Sequence, residues 1–363
     1  MTEPVLATSS RAVATQFDGP VEPPDLDDSQ RRTTGSFATA KGRRRYGAVV
    51  VGLVLLAVLF AAGLLGWGNP MPFGTAGFWL IAERRLVGVT VMLIVAICQA
   101  MATVGFQTVT NNRIITPSII GFESLYRAIQ TTSVYLFGLG GLVAFTGLWA
   151  FSLQLAIMLG LSLALYGWLL SGKYANLQVM LLIGIITGGG LGSVASFMQR
   201  LLTPSEFDVL TARMFGSVNN ADPSYFPIAI PLVVVSSAGL WLLSDRLNVV
   251  ALGRDAATGL GVAYKKNLIV VLILSSTLIA TSTALVGPMT FFGFLVATLA
   301  YQLADSYDHR RIFPVAVLSG FVVLSGAYFI LNHVFYAAGV VSIIIELIGG
   351  SVFLFVLLRK GTL

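Results

Sequence analysis

The sequence predicts an all-α polytopic membrane protein, a bundle of about ten transmembrane helices, and three observations predict it. Of 363 residues, 56% are hydrophobic and only 10% carry a formal charge, against about 25% charged in ordinary soluble domains. Apolar segments recur from Tyr46 to the end of the chain, each near the ~20 residues a helix needs to cross a bilayer. Stretches such as "GAVVVGLVLLAVLFAAGLLGW" show none of the period-two alternation of a membrane β-barrel.

The elements follow in chain order. Residues 1–45, with "EPPDLDDSQRRTTGS" at their centre, combine prolines, acids and small residues. Such a stretch cannot bury a core and is expected to be a disordered cytoplasmic tail. The Arg31–Arg32 pair is not followed closely by a short apolar stretch, so no export signal is assigned. The membrane domain is 46–363, with spans expected at 46–66, 80–108, 119–138, 142–170, 179–202, 227–244, 267–286, 289–304, 314–331 and 341–358. An even number returns both termini to one side. Lys41, Arg43 to Arg45, Arg113, Lys173, Arg246, Arg254, Lys265, Lys266, Arg310, Arg311, Arg359 and Lys360 fall in one set of loops. The other set holds little beyond Arg84, Arg85, Arg200 and Arg213. Positive residues stay inside, so the termini are expected in the cytoplasm, and the net charge of +6 marks loops rather than a nucleic-acid partner.

Several chemistries are excluded by residue inventory. One cysteine, Cys98, and two histidines, His309 and His333, supply neither a disulfide nor a metal cluster; Cys98 reads as a small buried hydrophobe. "GWLLSGKY" approaches a phosphate-binding loop, but Tyr174 replaces the required hydroxyl and no strand precedes it. Lys173 reads instead as a side chain snorkelling to the boundary. No spacing suggests a nucleophile and its base, so no catalytic residue and no resident cofactor are expected.

Other features admit two readings each. In "GIITGGGLGSVASF", Gly184, Gly188, Gly189, Gly190 and Gly192 serve close helix packing, an irregular pathway helix, or both. Glu123 and Arg127 stand i, i+4 on one helix face and can pair; an intramembrane charge is otherwise a functional candidate. Glu346 lacks a partner nearby in sequence and takes an interhelical hydrogen bond or lies at a protein interface. "TPSEFDVLTARMFGSVNNADPSYF" is a rim helix starting near Thr203 and Pro204, or a plain outer loop. Finally, "RLNVVALGRDAATGLGVAYKK", Arg246 to Lys266, is a polar interruption of about twenty residues. Its alanines and glycines suit a short helix–turn–helix with a small-residue face for another protein to dock on.

From about residue 46 onward the chain resembles the permease subunits of iron-siderophore and cobalamin ABC importers, the FecCD family. "GFQTVTNNRIITPSIIGFESLY" is similar to the family's segment between second and third spans through Gln107, Asn111, Asn112, Pro117 and Gly121. "LNVVALGRDAATGLGV" is similar to its cytoplasmic segment. Gly287, Pro288, Phe292, Gly293, Asp308, His309, Arg310 and Pro314 match a further region, and "GVVSIIIELIGGSVFLFVLLRKG" resembles the terminal helix. Three departures stand out. Ala297 and Thr298 replace a Pro-His pair, Gly88 replaces the second arginine of an outer motif, and Gly339 lacks its preceding proline. The pattern looks most like the branch serving catecholate-type ferric siderophores.

The resemblance implies a ferric-siderophore permease of ten spans, with cobalamin or haem as other cargo of the class and an ion-coupled secondary transporter as the competing reading. It implies ABC ATPase subunits carrying ATP-Mg, a second permease subunit (a different chain, or a second copy), an extracytoplasmic siderophore-binding protein, and residence in the bacterial cytoplasmic membrane. The ATPase-coupling residues would be Leu247, Asn248, Leu252, Gly253, Ala257, Leu260 and Gly261. Asn111, Asn112 and Pro117 are the cytoplasmic gate candidates. Gly188, Gly192, Ser196, Phe215 and Ser217 would line the pathway, and Arg85, with Arg84 as a substitute, would meet glutamates of the binding protein.

Overall fold

The computed structural model describes residues 35–37, 40–144, 147–171, 177–335 and 341–360. Most of the expected tail, the Lys173–Tyr174 pair and Gly339 lie outside them. Each expected span contains a helix: α1 (Ala40–Gly66), α2 (Ala76–Val109), α3 (Phe122–Ala144), α4 (Gly147–Ser171) and α5 (Leu177–Gln199). After α6 (Pro204–Met214) come α7 (Phe226–Leu242), the short α8 (Ser244–Val250) and α9 (Arg254–Gly259), then α10 (Tyr264–Val286), α11 (Phe292–Ala304), α12 (His309–His333) and α13 (Val341–Lys360). Among the described residues, seven helices are long and apolar enough to cross a membrane. The first span begins at Ala40, so residues 40–45, expected in the tail, are helical, and Phe37 packs on Tyr46 with ring centroids 5.2 Å apart.

Helix α2 is the axis of the bundle, flanked by α10, α12, α7, α11 and α1. Lipid tails are as apolar as leucine, so helices associate in a membrane through close packing and interhelical hydrogen bonds. Both occur here. Gly320 lies against Ala96 and Gly293 against Thr103, while buried Gln99 donates from Nε2 to Ser282 Oγ at 3.3 Å.

Helix length decides where the backbone is irregular. At 1.5 Å per residue, the 23 residues of α10 reach ~34 Å, enough to cross, whereas the 13 of α11 reach only ~20 Å. The non-helical stretch 287–291 precedes α11. Ser217 N–H donates to Val286 O at 2.8 Å, bringing residues 215–218 alongside. Thr290 also reaches Glu123 in the first turn of α3. The chain after α2 turns back through Asn111 at φ +49° and the single 3-10 turn Pro117–Ile120 to Gly121 at φ +114°. Such backbone is tolerated in a membrane only where protein covers it.

One open sequence reading is resolved by the rim segment. Residues 204–214 form a helix rather than a plain loop, started by Pro204 and by Glu206, whose carboxylate accepts from the Thr203 N–H at 2.9 Å and hydroxyl at 2.8 Å. Those bonds hold the Glu206 carboxyl below its ordinary range. Helix α3 bends at Gly138, at φ +62°.

Candidate functional site

The segment Leu247–Gly261 folds as α8 and α9 joined at Gly253. Gly253 (φ +96°, ψ 170°) and Gly261 (φ +79°) occupy backbone conformations that other residues rarely adopt, so these two glycines set the turns. The coupling candidates divide by exposure. Leu247 and Ala257 are 1% and 0% exposed and cannot touch a partner directly. Leu252 and Leu260 are 63% and 64% exposed, two bare leucines on a polar connection, and they are the docking residues the geometry offers.

Asn248 also turns inward. Its Nδ2 donates to Asp308 Oδ1 at 3.0 Å, and its Oδ1 accepts from the His309 N–H at 2.9 Å and lies 2.6 Å from His309 Nδ1. Because Nδ2 is committed to Asp308, Oδ1 must be the acceptor, so His309 carries a proton on Nδ1. Nε2 lies 2.7 Å from Thr108 Oγ1, whose hydroxyl donates to Val104 O at 2.8 Å. Asp308 caps α12 through the Arg310 N–H at 3.0 Å and also accepts from Ser36 Oγ at 2.8 Å. Partial burial opposes its negative charge, but the bonds from Asn248, Ser36 and Arg310 and the nearby Arg311 outweigh it and hold the carboxyl below its usual range. Arg310 pairs with Asp245 of α8 at 2.7 Å. Sequence reasoning noted Asp308 and His309 without assigning a role. An aspartate directly before a span was the available signal.

The gate candidates lie beside this cluster. Asn111, Asn112 and Arg113 line a cavity of about 380 Å³ with Thr108, Tyr301 and His309. Asn112 Oδ1 accepts from the Ile114 N–H at 2.9 Å and shapes the loop, and Gln107 Nε2 donates to Arg113 O at 2.7 Å. Pro117 is buried at the start of the 3-10 turn, so it shapes the return into the membrane.

The pathway candidates divide. A Cβ on Gly188 would sit 2.9 Å from Gly121 Cα, and Gly184 abuts Ile120; both are packing glycines. Gly192 lies near Ser124, while Ser196 and Phe215 are exposed. Ser217 is pinned by its N–H, and its hydroxyl accepts from the Asn219 N–H at 3.3 Å. Beside the Gly121–Gly188 contact lies a largely apolar cavity of about 370 Å³ lined by Phe122, Leu125, Leu161 and Leu191.

The outer arginines differ in their surroundings. The Arg85 guanidinium donates to the carbonyls of Leu64 at 3.3 Å, Leu65 at 3.5 Å, Trp67 at 2.8 Å and Gly68 at 3.2 Å. It therefore closes the C-terminal end of α1, a structural role alongside the expected binding-protein contact. Arg84 is exposed and is the better docking candidate. Glu123 and Arg127 do not form an ion pair among the described residues. Glu123 Oε2 accepts from Thr290 Oγ1 at 2.6 Å instead.

With this geometry in place, comparison with known proteins is informative. The FecCD transport family matches residues 49–359. The chain is 52% identical to the petrobactin import system permease protein FatC of Bacillus anthracis over 92% of this chain and 95% of that one. It is 35% identical to the petrobactin import system permease protein YclO of Bacillus subtilis (strain 168), over 86% and 97% of the respective chains. A solved structure described as an inward-facing conformation of a metal-chelate type ABC transporter aligns with a TM-score of 0.74 at 24% identity, covering 86% of this chain and 99% of that chain; that likeness concerns the fold.

Proposed function

This chain belongs to the FecCD transport family, as a transmembrane permease subunit of a ferric-siderophore ABC importer, and from that premise we propose that its cargo is ferric petrobactin. The observation that carries this reading is 52% identity along 92% of the chain to a petrobactin import permease.

In this reading a separate ATPase subunit hydrolyses ATP and seats on the exposed leucines of α8 and α9. A second permease subunit, as a heterodimer, completes the pathway, and a siderophore-binding protein delivers cargo near Arg84. The basic residues around α8 and α9 support a cytoplasmic position for that end and for both termini. ATP-driven closure favours one access state only through its unequal binding energy for the two states. The small, part-polar leucine-and-glycine joint is suited to carrying that difference.

The test is radioiron uptake from ferric petrobactin in a strain lacking this chain. Uptake should vanish, return with the restored chain, and stop when ATP is depleted. Uptake that survives ATP depletion but collapses with the ion gradient would contradict the reading in favour of a secondary transporter.

A further inference from the structure

We propose that Asn248 is a positioning residue that carries movement of the ATPase-facing segment into α12 and α2, rather than a residue that touches the ATPase. The inference rests on the reading of α8–α9 as that segment.

The polar contacts of the Asn248 side chain point into the bundle. They engage the Asp308 carboxylate, the His309 N–H and the His309 ring at 3.0, 2.9 and 2.6 Å. From the far side of that ring, Nε2 continues to Thr108 on α2 at 2.7 Å. The relay therefore links α8, the first turn of α12 and the last turn of α2. The Arg310–Asp245 pair at 2.7 Å ties α8 to α12 a second time, and Leu247 and Val250, each 1% exposed, anchor the same helix by burial.

Helix α9 is held differently. Ala257 is its buried residue, and it connects to α8 through Gly253 and to α10 after Gly261. A push on Leu252 thus reaches the bundle through α8, which is bolted to two helix ends, while Leu260 also leads into α10. One of those ends, Thr108, borders the cavity that also contains Asn111, Asn112 and Arg113. Displacing α8 must either break the hydrogen bonds of Asn248 or move Thr108 and the loop after it. The Asn248 bonds are part-buried and the His309–Thr108 contact is buried, and such bonds resist being left unpaired, so the movement passes to the loop.

The experiment uses the complete purified importer in liposomes, with ferric petrobactin as the transported probe, and reads iron moved per ATP hydrolysed. Asn248→Ala should keep the ATPase through purification and hydrolyse ATP within about twofold of wild type, while iron per ATP falls by about tenfold. Asn248→Gln should recover part of that loss. Thr108→Val, at the other end of the relay, keeps shape and lowers the same ratio even if Asn248→Ala assembles poorly. In the double variant the two losses should be less than additive. The inference is overturned if both single variants move iron per ATP as wild type does, or if Asn248→Ala sheds the ATPase, which would make it a docking residue. A wild-type complex that purifies without an ATPase would instead refute the underlying reading of α8–α9.

Discussion

Replacing each of the two adjacent arginines at the start of α2 separates a structural role from a docking role. Arg85 donates to four carbonyls at the end of α1, with Trp67 O at 2.8 Å and Gly68 O at 3.2 Å the best placed. Hydrogen bonds from a charged donor contribute about 1.5–3 kcal/mol where desolvated, and a cation at a helix C-terminus about 0.3–1 kcal/mol where exposed. The site is part exposed, so Arg85→Ala should cost about 2 kcal/mol. At about 2–4 °C per kcal/mol this lowers the unfolding temperature by about 4–8 °C. Arg84→Ala removes an exposed side chain and should change stability by under about 0.5 kcal/mol, yet weaken association with the binding protein. Thermal unfolding of the detergent-purified chain and titration with the binding protein read the two effects. The reasoning is refuted if Arg85→Ala leaves the unfolding temperature unchanged while abolishing binding-protein association.

Three further outcomes are expected. Gly188→Ala brings a methyl against the backbone of Gly121 at 2.9 Å and should cost about 1–3 kcal/mol by overpacking, whereas Gly189→Ala, with open space around it, should be nearly neutral in the same unfolding assay. Gly253→Ala forces a side chain into a glycine-only conformation and should cost about 1–3 kcal/mol, seen as faster proteolysis between α8 and α9. The Asp308 carboxyl sits below its ordinary value of 3.8, so its contribution is complete above that value and is lost as pH falls through the folded one. The stability gap between wild type and Asp308→Asn should therefore be constant from about pH 8 to 5 and close only on acidification below about pH 4.

The spans were legible because lipid forces every backbone polar group to be satisfied within a helix, which leaves long apolar runs with few competing interpretations. The position of α8 and α9 was legible for the converse reason, as a polar interruption. Side-chain direction was not. A seven-residue helix has too few turns to show which face Asn248 takes, and nothing local distinguishes Arg84 from Arg85. Local spacing also misled at Glu123. The i, i+4 rule supplied Arg127, but the hydrogen-bond partner, Thr290, is 167 residues away, beyond any local pattern. The glycines of α5 illustrate a milder limit: packing and pathway were both open, and only the neighbour at Gly121 assigns Gly188 to packing.

The most direct test of the central claim, that a separate ATPase drives this bundle through the exposed leucines of α8 and α9, is purification of the Leu252→Glu/Leu260→Glu variant followed by ferric petrobactin uptake. The account predicts that the variant reaches the membrane at wild-type levels, loses the ATPase on purification and accumulates no iron. Retention of the ATPase together with normal uptake would contradict it.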